Sequence, residues 1–416
     1  MPLRMPALDA AAEPTSDPHM SDAPIRLRPA PPVTAEALDR VGWGWLAQDA
    51  DPARPYLAPE MVEITAADVE TLALAGNELY ALLVEAAEHV LEKDLLDEVG
   101  VPASLHRLVR HSWDDDRHWH LYGRFDLAGG VAGLPVRLIE FNADTATAIP
   151  ETAIAQWAQA QGNAHAEQFN ELYERLVEQF GRLKGANDDL APTLLCTGFA
   201  DAPEDDANLG VIGAAAEEAG FRVTYRAVSD VHFAPGEGVF TFEPGEGGDV
   251  WVRHDVVFKL IPWETFASDE PAILEILEGL ILDRHVVVVN PAYAVLLQSK
   301  RLMKVAYDLH PDNPLLLEAA YHPIAGKRHV EKPAYGREGG NVTVYGATGE
   351  AIEATGGDYD VYPSVFQAFT DLPHDAEVRL YQTGLFWAFE ACAVGFRRGD
   401  LVMDDRSAFV GHVVVD

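Results

Sequence analysis

The chain has 416 residues, 48% of them hydrophobic and 23% charged, a composition that folds and a length too great for one ordinary core. Asp and Glu number 67 against 30 Lys and Arg, a formal charge of −37. That balance argues against a nucleic-acid binder, because phosphate affinity comes from a basic surface, and no apolar run is long enough to span a bilayer, so no membrane partner is expected.

The first 33 residues are rich in Pro, Ala and Asp and lack the apolar core of a signal peptide, so a disordered extension is expected over 1–33. From about Thr34 to Val99 the pattern is helical, clearest in DVETLALAGNELYALLVEAAEHVLEKDLL (68–96), where apolar residues recur at spacings of three and four. Next, HWHLYGRFDLAGGVAGLPVRLIEFNAD carries two apolar runs around a Gly-rich turn, a β-hairpin pattern. Pro150 and Glu151 open a second helix towards Leu183. A region of 34–190 thus combines helices with the hairpin. A small α/β region is expected over 191–295, with PTLLCTGFA and FRVTYRAV as strands around a helix over 208–219, and with VVFKLIPWETF and HVVVVNPAYAVLLQSK continuing the alternation. The last part, 296–416, is rich in strands.

The end of the hairpin holds the first candidate site. Val136, Leu138, Glu140 and Asn142 share one parity, so in a strand they point to one face. Arg124 and Asp126 in YGRFD share a parity on the other arm. If the arms pair, two carboxylates and an amide oxygen converge beside Arg124, a hard-oxygen set suited to Mg²⁺. The same pattern also fits a solvated strand end, or an exposed cross-strand Arg–carboxylate pair.

Further along, Lys300 (QSK) and Lys332 (EKP) are compact donors for phosphate oxygens, though each alone reads as an ordinary surface lysine. Lys332 is followed by YGREGGN, in which Gly336, Gly339 and Gly340 let backbone N–H groups approach a phosphate and Arg337 offers charge stabilisation. Hairpin turns use the same glycines. Residues 334–341 are expected to form a mobile lid. Thr145 and Thr147 could bind a carboxylate at a helix start or act as helix caps. GFADAPEDD holds acidic residues after a strand, which is usually a solvated loop. The acidic surplus could steer a cationic substrate, or mark only a soluble or salt-adapted surface.

The segments YGRFD, EFNADTAT, VFKLIPWE, QSK, EKPAYGREGGN, FQAF and GFRRGDLVMDDRSAFVGH occur in the order found in the glutathionylspermidine synthetase family. From about residue 40 to the C-terminus the chain resembles the stand-alone ATP-grasp synthetase domain of that family. The resemblance implies an α/β ATP-grasp fold with permuted motif order, the metal strands preceding the nucleotide lysines, and an inserted small α/β domain. It implies ATP and Mg²⁺, two ions, and an acyl-phosphate route from an acid and an amine, for example glutathione and a polyamine such as spermidine, to an amide. By resemblance, Asp126, Glu140 and Asn142 hold Mg²⁺. Lys300, Lys332, Gly336, Gly339, Gly340 and Gln367 bind the nucleotide. Arg124, Arg337 and Arg397 act at the phosphate, with Arg398 adjacent to the last. Thr145 and Thr147 contact the acid, and Glu204 and Asp205 hold the amine. Asp404, Asp405 and Arg406 read as a polar turn. The runner-up readings are a nucleotide-binding regulatory protein without ligase activity and an ATP-grasp phosphotransferase.

Cys196 and Cys392 are the only cysteines, too few for a thiolate cage or a disulfide framework, so a reducing cytoplasm is expected. Neither lies in an amidase-like setting, so hydrolysis of the amide product is not expected.

Overall fold

Strands Gly123–Ala128 and Arg137–Asn142 form the expected hairpin in a computed structural model of the chain. The structure describes all residues except 1–23, 32, 35, 37–42, 44–54, 162–165, 245–247, 249 and 405. Gly129 opens the hairpin turn at φ +76°, and a Cβ there would meet the Pro135 carbonyl oxygen at 2.0 Å, so only glycine fits. The register slips between Asp126 and Leu127, which is the mark of a β-bulge in the opposite arm. The bulge overturns one expectation. Val136 and Leu138 enter the core, whereas Ile139, Glu140 and Asn142 line the cleft described below. Parity is conserved only along an unbroken strand.

The hairpin is one edge of a seven-stranded sheet. Its order is Leu27–Pro29, Leu57–Thr65, Ala408–Val415, Ala391–Gly399, Leu380–Trp387, Gly123–Ala128, Arg137–Asn142. Two sequence expectations are corrected here. The stretch up to residue 33 holds a strand, Leu27–Pro29, paired antiparallel with Leu57–Thr65, so ordered structure begins inside it. Residues 1–23 lie outside the described residues. The helical pattern from Thr34 to Val99 contains that nine-residue strand, Leu57–Thr65, which pairs in parallel with the C-terminal strand.

The helix proper is Ala66–Lys93. Thr65 and Asp68 form a reciprocal capping box at its start. Leu72, Leu79, Leu83, Ala86 and Val90 make its buried face against the sheet. Gly76 lets it approach, since a Cβ there would sit 2.7 Å from Leu385.

A four-stranded parallel sheet runs Val287–Val289, Val256–Lys259, Thr193–Gly198, Arg222–Ala227. Its central strands are buried throughout, as parallel strands covered on both faces should be. Helix Pro203–Glu218 follows Thr193–Gly198. A five-stranded sheet, Ala319–Ala320, Ser364–Ala368, His329–Pro333, Thr343–Tyr345, Ala351–Ala354, is antiparallel. The second expected helix is interrupted. Glu151–Ala155 is a π-helical turn, Gln156–Gln161 is α-helical, and Leu172–Ala186 is a separate helix. Both cysteines are free and buried. No helix among the described residues is long and apolar enough to cross a membrane.

Candidate active site

The hairpin register sets Asp126 opposite Glu140 and Arg124 opposite Asn142. These four side chains line a cleft of about 350 Å³. Arg124 clasps Asp126 with Nε to Oδ1 at 2.7 Å and Nη2 to Oδ2 at 3.1 Å. Its Nη1 donates to the Thr147 carbonyl at 2.7 Å, tying the strand to the turn beyond the hairpin. Asn142 Nδ2 donates to Asp126 Oδ2 at 3.2 Å, a contact that leaves the amide oxygen as an acceptor. Two carboxylates and an amide oxygen on one face are hard donors, so the set fits Mg²⁺ in its chemistry.

Cationic groups arrive from outside the hairpin. Lys332, on strand His329–Pro333, donates to the Ile139 carbonyl at 2.7 Å. Gln367, on the neighbouring strand Ser364–Ala368, donates to the Leu138 carbonyl at 3.0 Å. Lys300 lies 3.4 Å from Glu140 Oε2 and donates to the Gly336 carbonyl at 2.9 Å. Three residues distant in sequence thus meet the same few residues of the hairpin. Burial pushes Lys332 down to about 8, with Glu140 opposing. Burial alone would push Glu140 up, but Lys300, Lys332 and Arg124 hold it below the usual carboxylate range.

Arg337 and Gly339 occupy the loop after Lys332 and line the cleft with Gly336. Gly339 sits at φ +68°, where a Cβ would meet Met403 O and Val402 at 2.7 Å, so the loop is locked to the 402–403 turn by glycine. Gly340 is not among the lining residues and instead backs onto the Tyr359 ring. Arg337 Nη2 is 3.5 Å from Oε1 of Glu264, whose Oε2 is buried without a partner.

Arg397 lines the cleft, donates Nη2 to the Asp404 carbonyl at 2.7 Å and keeps a buried, unpartnered Nε. Arg398 points the other way and pairs with Glu60. Strand alternation therefore settles which of the two faces the site. Asp404 belongs to a turn, its Oδ1 accepting from Ser407 Oγ at 3.2 Å and Arg406 N at 3.1 Å. Asp405 lies outside the described residues.

Thr145 and Thr147 line the cleft, and neither caps the following helical turn, which starts without a side-chain cap. Glu204 and Asp205 line it from the first turn of helix Pro203–Glu218. Burial raises Asp205, with Arg337 opposing.

Sequence reasoning missed the lining residues Glu151, Tyr56 and Trp43. Glu151 is 7% exposed, accepts from the Tyr56 hydroxyl at 2.6 Å and has an Oε2 that is buried without a partner. Burial raises its carboxyl. Trp43 brings an unpartnered indole N–H to the same cleft. In sequence Glu151 reads as a helix opener, because an acid in the first turn is ordinary there. What presents it is the π-helical turn, a feature enriched at functional sites and invisible to a 3.6-residue period.

A brace lies beneath the site. Lys259 Nζ binds both oxygens of Asp144, at 2.7 and 2.9 Å, and Trp263 N donates to the same carboxylate at 2.9 Å. Asn290 Nδ2 donates to the carbonyls of Ala143 and Asp144 at 3.0 and 2.9 Å. The turn between Asn142 and Thr145 is thereby held from below.

A sequence model of the family described as glutathionylspermidine synthase preATP-grasp matches residues 26–415. A Haemophilus influenzae protein, provisionally named an acid–amine ligase, is 26% identical over 411 residues, covering 93% of this chain and 98% of that protein. The bifunctional glutathionylspermidine synthetase/amidase of Escherichia coli K12 is 25% identical over 346 residues, covering 78% of this chain. That match takes in 53% of the E. coli protein, so the chain spans about half its length. Among solved structures, a glutathione synthetase-like effector from Globodera pallida in the apo form superposes with a TM-score of 0.53 at 9% identity, over 86% of this chain and 90% of the other. That likeness is one of fold, the α/β fold of ATP-grasp-type synthetases.

Proposed function

The chain belongs to the glutathionylspermidine synthase family, and on that premise we propose that it is an ATP- and Mg²⁺-dependent ligase joining a peptide-like acid to a polyamine-like amine. The observation that supports this most is the pairing of two opposite clusters in one cleft. Lys300, Lys332 and Arg124 gather by the hairpin carboxylates, while Glu151, Glu204 and Asp205 line the same space, with Arg337 acting on Asp205. A phosphorylated acid needs the first cluster, and an ammonium needs the second.

When bound, ATP with Mg²⁺ supplies the phosphoryl group that activates the carboxylate and neutralises its charge. Asp126, Glu140 and Asn142 would hold the metal. Lys300 and Lys332 bind phosphate oxygens, and Arg124 and Arg397 stabilise charge developing at the reacting centre. Thr145 and Thr147 orient the acid. Glu151, Glu204 and Asp205 hold the amine, which must attack as the neutral form. The unpartnered Glu151 oxygen gives that region a buried acceptor for an N–H group. The test is a screen of acids and amines with ATP and Mg²⁺, read by mass and by ADP release. ADP release requiring both an acid and an amine is the expected result. Release with one substrate alone, or transfer of phosphate to a single product, would overturn the reading.

Neutralising the acidic pair, as Glu204→Gln with Asp205→Asn, should mainly raise the amine KM. The rise should be roughly tenfold, the scale of one charge-assisted contact of ~1.5 kcal/mol. KM for ATP should hold, and added salt should weaken amine capture more in the wild type. An unchanged amine KM would reduce the pair to solvated helix-start residues.

Nucleotide affinity should also fall as pH rises through about 8, because Lys332 loses its proton there in the free protein. Phosphate favours the charged amine, so ATP binding above that pH should take up a proton. Calorimetric titrations in two buffers of different ionisation enthalpy measure that uptake. Lys332→Arg, whose guanidinium stays charged, should remove it. Uptake that persists in this variant would assign the proton to another group.

A further inference from the structure

Away from the cleft, helix His106–Asp114 ends against the segment that leads into strand Gly123–Ala128. At that junction His111, Asp115 and His118 each bring a ligand atom within 4.8 Å of the others. None of the three lines the cleft. We propose that His111, Asp115 and His118 form a site for a zinc-class divalent cation, which clamps the helix end to the segment feeding the Arg124–Asp126 strand.

Several observations point to a ligand there. His111 Nε2 is buried and has no hydrogen-bond partner. His118 is 7% exposed. A buried imidazole without a partner is costly, and a metal bond relieves the cost. The two rings meet edge to face with centroids 5.5 Å apart. Two imidazoles and one carboxylate suit Zn²⁺ and Co²⁺ better than Mg²⁺, with a water completing a tetrahedron.

The carboxylate is not idle. Asp115 Oδ1 accepts from Arg117 N at 3.1 Å, and Oδ2 accepts from Arg284 Nη2 at 3.1 Å. Arg117's own charge is matched by Asp189, with contacts at 2.7 and 3.1 Å. Arg284 is the competitor. Its side chain is 59% exposed, so it can leave for solvent at little cost. The backbone is already set for a clamp, because His118 N donates to the Asp115 carbonyl at 3.0 Å and Tyr293 donates to the His118 carbonyl at 3.3 Å.

Metal-stripped protein, with Mg²⁺ in excess to saturate the cleft, is titrated with Zn²⁺ by calorimetry and with Co²⁺ by visible absorption. One equivalent of Zn²⁺ and a tetrahedral Co²⁺ spectrum are expected, with a raised melting temperature. His111→Gln and Asp115→Asn, both at partly exposed positions, should each weaken Zn²⁺ binding at least about tenfold. Arg284→Ala should tighten it several-fold, because it removes the cation that shares Asp115. No one-equivalent binding to the wild type would overturn the proposal. So would equal affinity in His111→Gln, or no tightening in Arg284→Ala, which needs no change to a ligand and so separates loss of the site from loss of the fold.

Discussion

Glu140→Gln should remove most turnover, a fall in kcat of roughly a hundredfold or more, while the protein stays folded. The glutamate is isosteric with its replacement, so packing is kept and only the charge goes. Two consequences follow from that charge. The oxygen set facing the cleft loses one of its two carboxylates, and the contribution of such electrostatic groups to a charged transition state is typically several kcal/mol. The lysines lose their counter-charge as well. Lys300 is 3.4 Å from Glu140, and Glu140 is the main influence opposing the burial-driven fall of Lys332. Without it Lys332 should titrate below about 8 and be largely neutral at working pH. On the proposed reading raised Mg²⁺ should therefore restore little, because the charge of Lys332 is lost along with the Glu140 carboxylate. Steady-state kinetics across a Mg²⁺ series, with melting curves alongside, provide the check. Near wild-type kcat at saturating Mg²⁺ in a folded variant would remove Glu140 from the site.

The hairpin was legible in the sequence because its signals are local. Two apolar runs flank glycines, and the polar residues YGRFD and EFN close the arms. The bulge was not legible, since an extra residue leaves no mark in composition, and it moved Val136 and Leu138 into the core while Glu140 stayed in the cleft. Strand Leu57–Thr65 was lost for a different reason. Its partner is the C-terminal strand Ala408–Val415, so nothing nearby in sequence announces the pairing. Glu151 failed because a first-turn acid has a common structural reading, and Tyr56, which hydrogen-bonds it, lies 95 residues away. Arg397 and Arg398 could not be told apart by motif, yet one look at which side of the strand each takes separates them. What sequence reads well is local pattern, and what it misses is contact between distant segments.

The buried pair beneath the site shows that limit again. Lys259, in VFKLIPWE, carried no assignment, because its partner Asp144 is 115 residues away. Asp144→Asn should destabilise the fold by roughly 3–5 kcal/mol, the cost of leaving one member of a buried pair uncompensated. The side chains are 1% and 0% exposed, so solvent offers no relief. Burial already pushes Lys259 down and Asp144 up, each opposed by the other. Without Asp144 the lysine should fall further and shed its proton in the folded state. The sign of the pH dependence then follows. Above the folded pKa the native state has lost a proton that the unfolded chain keeps until about 10.4, so stability rises with pH across that window. The variant should therefore be weakest in acid and recover towards alkaline pH, which denaturant melts at about pH 6 and about pH 9 would measure. Asp144→Leu with Lys259→Met should be less destabilised than Asp144→Asn alone, because no charge remains to be desolvated. Activity gives the second readout. The Asp144 backbone lies between Asn142 and Thr145 and is held by Asn290, so a loosened turn should raise KM for the acid before the fold is lost. A variant with wild-type melting at both pH values would mean that water reaches Lys259, and that the contacts of Asn290 and Gln298 with the turn backbone hold it without the ion pair.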